Sequence, residues 1–111
     1  MTRYQRSMQI WILLTSATLN RKTYTYGEIA GLLGFKGAGV MAQFLAPIMY
    51  LCENNNYPPL TIIVVNQETG LPGDGLSTIE EVNTDREKVF NFKWFDIEPP
   101  QIEDFRQADR Q

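Results

Sequence analysis

The sequence predicts a small α+β domain, and three observations carry that expectation. Thr25 to Ala46, TYGEIAGLLGFKGAGVMAQFLA, reads as two short helices around a glycine-bearing turn. Leu60 to Asn66, LTIIVVN, is an unbroken β-branched run with turn residues on both sides, the pattern of a strand. Gln67-Glu68-Thr69-Gly70 then turns the chain into an irregular, glycine-rich arm from Leu71 to Leu76. A helix-turn-helix followed by a short β-hairpin, with a further helix behind it, is the order of a small winged-helix-like domain.

The elements follow in order. Tyr4 to Ala17 reads as the opening helix, with Tyr4, Met8, Trp11, Ile12 and Thr15 recurring at three- and four-residue steps. Arg3 and Arg6 lie near its start, where the helix dipole disfavours cations, so helix stability does not account for them. Arg21 to Tyr24 is a connector. Thr25-Tyr26-Gly27-Glu28 has the form of a capping box, in which hydroxyl and carboxylate satisfy each other's backbone N–H groups. Ile29, Ala30, Leu32 and Leu33 supply the buried face of the next helix, and Gly34 stops it as a left-handed cap.

Phe35-Lys36-Gly37 is then the turn, and Ala38 to Ala46 the second helix, with Val40, Met41, Phe44 and Leu45 inward. Pro47 either bends that helix or opens a new one over Ile48 to Glu53. Pro72 confines the return arm of the hairpin to an edge. Thr84-Asp85-Arg86-Glu87 reads as a second capping box, opening a helix from about Asp85. The aromatic run Phe90, Phe92, Trp94 and Phe95 reads as core and helix-terminus packing rather than a base-stacking platform. Residues 1–96 form one domain on this reading. Residues 97–111 are an acidic tail that either packs a short helix through Ile102 and Phe105 or stays mobile.

Composition narrows the chemistry. The chain has 111 residues, no histidine and a single cysteine, Cys52, so no internal disulfide is possible and a cytoplasmic location is expected. The longest apolar runs, Ile10 to Leu14 and Leu60 to Val65, are far too short to span a bilayer. Acid–base catalysis near neutral pH would need a perturbed carboxylate, lysine or cysteine. Glu80-Glu81 and Glu103-Asp104 are adjacent pairs that diverge on a helix or strand. Gly70 to Gly75 lacks the lysine of a phosphate loop. No catalytic residue, metal ligand or cofactor is expected, and the chain reads as a non-enzyme.

The net charge of −3 conceals an asymmetry. Residues 1–37 hold five basic side chains against one carboxylate, and residues 38–111 hold five against twelve. The cationic first third is where phosphates would be met. The candidate nucleic-acid contacts are Lys36, Gly37, Ala38 and Gly39 at the start of the second helix, with Gln43 one turn on. Arg21 and Lys22 in the connector, Tyr26, and Asn66 and Gln67 at the hairpin tip complete the set. The expected partner is DNA or another nucleic acid, bound with weak sequence specificity. The competing expectation is a small protein–protein adaptor or accessory subunit in a bacterial or phage system, acting through a homodimer or partner interface. Acidic balance, proline/glycine loops and the aromatic segment favour it.

From Tyr4 to Gly70 the sequence resembles the winged-helix DNA-binding domain of the alkylguanine-DNA alkyltransferases and their alkyltransferase-like relatives. The matching features are a Trp11-bearing helix, TYGEIAGLLG, a small-residue helix, and PPLTIIVVN leading to Gly70. The resemblance implies a winged helix and, at Tyr26, a phosphate-contacting tyrosine. The family's reactive Pro-Cys-His-Arg-Val stands here as Pro59-Leu60-Thr61-Ile62-Ile63, and Val40 stands where the family inserts an arginine into the base stack. The resemblance therefore implies binding without alkyl transfer. The phrase PPLTIIVVNQETGLPGDGL also resembles a signature of small bacterial and phage proteins.

Overall fold

In the computed structural model, residues 1–72 and 79–110 are described. Five helices, α1 (Arg3–Thr18), α2 (Tyr26–Leu32), α3 (Ala42–Asn54), α4 (Ile79–Asn91) and α5 (Ile102–Asp109), surround a two-stranded parallel sheet, β1 (Tyr24–Thr25) and β2 (Val64–Val65). Short 3-10 turns at Ala38–Val40 and Leu60–Ile63 complete the described elements. The protein is mostly helical.

Helix α1 lies centrally, against α3, α4 and α5. Its buried face shares Trp11 and Thr15 with the expected stripe, and Tyr4 and Met8 pack partly buried against the core, but it is otherwise different. Ser7, Ile10, Trp11, Leu14, Thr15, Ala17 and Thr18 are buried, while Ile12 is 55% exposed. Three of these residues carry hydroxyls, and each finds a backbone acceptor. Ser7 donates to the Phe44 carbonyl of α3 at 2.7 Å, Thr15 to Trp11 at 2.8 Å and Thr18 to Thr15 at 2.6 Å. Satisfied in this way, the hydroxyls enter the core without an unpaired polar group, which hydrophobic periodicity alone does not reveal.

Local signals hold in the second helix. Thr25 accepts from the Glu28 N–H at 3.0 Å, and the Glu28 carboxylate accepts from the Thr25 N–H at 2.9 Å. Gly34 adopts φ +84°, and the Phe35 N–H returns to the Ala30 carbonyl at 2.8 Å, closing a left-handed helix stop. The same closure ends α1 at Arg21 (φ 52°) and α3 at Asn56 (φ 57°). Leu32 is 61% exposed, however, so the buried face of α2 reduces to Ile29 and Ala30.

The helix expected over Ala38–Ala46 begins instead at Ala42, after a 3-10 turn at Ala38–Val40, and Pro47 does not open another. It is the sixth residue of one continuous helix and is fully buried. Only the Gln43 carbonyl loses its usual N–H donor there, and Gln43 is exposed, so water can replace that donor. Met41, Phe44 and Leu45 face the core, while Val40 is exposed.

The strand expected over Leu60–Asn66 requires the larger correction. Leu60, Ile62, Ile63, Val64 and Val65 are all buried. Among the described residues the pairing partner is the two-residue β1, in register Tyr24↔Val64 and Thr25↔Val65. Backbone groups beyond that ladder must be satisfied locally. Leu60–Ile63 therefore winds into a 3-10 turn, with the Ile62 N–H donating to the Pro59 carbonyl at 3.0 Å. The sheet is parallel, not the antiparallel ladder of a hairpin wing. Most of the expected return arm, residues 73–76, lies outside the described residues.

The Thr84–Glu87 box is also corrected. Helix α4 already runs from Ile79, and Val82 and Val89, one heptad apart, are buried in it. Thr84 is thus inside the helix, and the Glu87 carboxylate pairs instead with Arg21. Beyond α4 the Trp94 indole N–H donates to the Val89 carbonyl at 2.8 Å, capping one of the carbonyls a helix end leaves free.

The acidic C-terminal segment forms α5. The Asp104 carboxylate accepts from the Gln101 N–H at 2.7 Å, and Phe105 is fully buried between α1 and α3. Tyr4 donates to Asp109 at 2.9 Å and Arg3 pairs with the same carboxylate at 3.2 Å, joining the two ends of the chain. Phe105→Ala should cost about 3–5 kcal/mol of stability. Urea denaturation followed by Trp fluorescence measures that cost, and a change below about 1 kcal/mol would mean α5 is not part of the core.

Candidate nucleic-acid interface

The parallel register decides which candidate residues meet. Thr25 pairs with Val65, so Tyr26, the first residue of α2, leaves the sheet at the same end as Asn66 and Gln67. This is the carboxyl end of two parallel strands, the place where open parallel sheets commonly present ligand sites. The loop beyond it is closely bonded. The Asn66 N–H donates to the Leu71 carbonyl and the Gly70 N–H to the Asn66 carbonyl, both at 2.8 Å. Asn66 Oδ1 accepts from the Glu68 N–H at 2.9 Å, and the Arg86 guanidinium donates to the Gly70 carbonyl. Gly70, at φ +68°, supplies the backbone turn that closes this loop. The helix N-terminus beside it already holds an anion, the Glu28 carboxylate.

A second group lies at the opposite end of α2. Seven residues of helix span about 10 Å, so the turn after Gly34 is well separated from Tyr26. Here Phe35 stacks on Phe44 at 5.4 Å between ring centroids, and the Arg6 guanidinium lies over Phe35 at 5.0 Å. Lys36, Gly37, Ala38, Gly39 and Gln43 are all exposed around this anchor. Among the described residues no ion pair engages Lys36. No Cβ clash would arise at Gly37 or Gly39, so both present open surface.

Arg21 and Lys22 form a third group. Arg21 is ion-paired with Glu87 and lies over Phe90 at 5.0 Å, while Lys22 lies over Tyr24 at 4.6 Å. A phosphate approaching Arg21 would compete with Glu87. The three groups are therefore separate and do not converge on one pocket. Arg6, over the Phe35 ring, is a further cation beside the turn after Gly34 that the expected set leaves out. Its signal was an arginine at a helix start, where electrostatics gives no reason for one.

Elsewhere the chemistry is sparse. Among the described residues no group of three histidine, cysteine, aspartate or glutamate side chains is placed to hold a metal, and no helix is long and apolar enough to cross a membrane. Cys52 is buried on α3, and burial pushes its thiol up to about 11, so it is a neutral apolar group at physiological pH. No protein-family model, curated protein or solved structure matches this chain.

Cys52 makes stability depend on pH with a definite sign. The thiol ionises more readily unfolded, near 9.0, than folded, near 11. Its contribution is therefore full below pH 9 and is lost as pH rises toward 11, reaching a loss on the order of 2 kcal/mol. Denaturation at about pH 8 and about pH 10.5 should show a steeper decline for wild type than for Cys52→Ala. Parallel declines would contradict the buried placement.

Proposed function

We propose that this chain is a non-enzymatic nucleic-acid-binding protein, using α2, the turn after it and the start of α3 in the manner of a winged-helix-like domain. The observation that carries the reading is the exposed edge at Lys36 to Gln43. It combines a lysine that makes no ion pair among the described residues, small residues that admit a sugar–phosphate backbone, and Arg6 fixed alongside on Phe35. α5 packs on α1 and α3, and this edge stays open to solvent. Tyr26, Asn66 and Gln67 would meet the backbone at one end, Lys36 and Arg6 at the other, and Lys22 from the connector.

Binding of this kind is mainly electrostatic and salt-sensitive. Gln43 is the one long polar side chain among the candidates on the α3 start, so base discrimination would be weak. The test is a titration of duplex DNA at several salt concentrations, comparing wild type with Lys22→Glu, Lys36→Glu. The variant should bind at least about tenfold more weakly, with a salt slope reduced by about two. No binding by wild type at about 50 mM salt, or equal binding by the variant, would remove this reading.

A further inference from the structure

An open groove of about 420 Å³ lies between the end of α1 and the segment after α4, and its lining shares no residue with the Lys36 to Gln43 edge. Leu19, Arg21, Phe90, Lys93 and Phe95 form its walls, with Trp94 beneath. Two of these are apolar side chains left largely in water: Leu19 is 71% exposed and Phe95 62%. Isolated exposed apolar residues need no explanation, but two large ones on one groove do.

The groove has a rigid floor. Trp94 meets Phe92 edge-on at 4.6 Å and Trp11 at 5.5 Å between centroids, and its indole N–H is bonded within the core. Two cations line the groove: Arg21, held over the Phe90 ring, and the exposed Lys93. Two carboxylates face the same region, Glu87 on Arg21 and Asp96 on the groove wall. An aromatic surface flanked by cations is what holds unpaired bases, because every base has a face to stack and a phosphate beside it.

We infer that this groove binds single-stranded nucleic acid, stacking an unpaired base on Phe95 while Lys93 and Arg21 take the adjoining phosphates. The inference rests on the nucleic-acid reading above and adds a second, strand-specific site. Occupation exchanges the Glu87 partner of Arg21 for phosphate.

The experiment measures fluorescence anisotropy of a labelled oligothymidylate of about twelve residues and of a duplex of similar length, at low salt. Wild type, Phe95→Ala, Lys93→Glu and Lys36→Glu are compared, with sedimentation of each protein alone. Phe95→Ala and Lys93→Glu should each weaken oligothymidylate binding roughly tenfold and leave duplex binding unchanged. If either binds the oligothymidylate as wild type does while Lys36→Glu still loses duplex affinity, the groove is not the site and the Lys36 edge stands. No binding of either nucleic acid by wild type overturns both. A shift from dimer to monomer in Phe95→Ala without nucleic acid assigns the groove to contact between copies and overturns the inference.

Discussion

The edge-on contact of Trp11 with two other rings is the interaction on which most of this structure depends. Its ring meets Trp94 at 5.5 Å and Phe105 at 5.9 Å between centroids. Those partners come from the segment after α4 and from α5, so one side chain of the first helix gathers the last part of the chain. A chain of 111 residues buries limited apolar area. Aromatic side chains supply much of it, and their edge-to-face packing adds to the burial. Phe105 closes the cluster from α5, and Trp94 carries it on to Phe92 and Tyr57. The radius of gyration, 13.1 Å, is what a packed chain of this length has, leaving no room for a detached tail.

That arrangement sets where function can sit. With α5 committed to α1 and α3, helix α2 packs chiefly on β1 and the Ala38–Val40 turn. It is short, contains Gly27 and Gly31, and buries only Ile29 and Ala30. A peripheral helix with an open turn is suited to meeting a partner. The carboxylates distribute accordingly: Asp109 and Glu103 engage Arg3 and Arg106, Glu87 engages Arg21, and Asp85 engages Lys88. Lys36 is left out of these pairs, and so the proposed binding edge is cationic although the whole chain is acidic.

What the sequence made legible was what is decided locally. The Thr25–Glu28 box and the Gly34 stop depend on a few neighbouring residues, and both stand as read. Readings that depended on distant partners did not. Leu60 to Val65 has the composition of a strand, but the length of a strand is set by its neighbour, and β1 offers two residues. Thr84-x-x-Glu87 has the form of a cap, but Val82 and Val89 draw the helix back through it. The α1 stripe holds at Trp11 and Thr15 but fails at Ile12, and it omits Ser7 and Thr18, which look polar until their hydroxyls reach backbone carbonyls. The ten candidate contacts were chosen as one surface. The parallel register instead joins Tyr26 to Asn66 and Gln67, and the length of α2 sets Lys36 apart. Arg6 joins Lys36 only because Phe35 folds back over α1, a tertiary contact without a sequence signature.

Amide hydrogen exchange tests the central claim most directly, since docking of α5 through Phe105 and Trp11 makes its opening a global event. Amides of α5 should exchange as slowly as those of α1 and α3 and share their denaturant dependence, while those of Lys36 to Val40 exchange quickly. Rapid, denaturant-independent exchange throughout α5, with protection at Lys36 to Val40, would contradict the account by showing the C-terminal segment detached and the proposed edge covered.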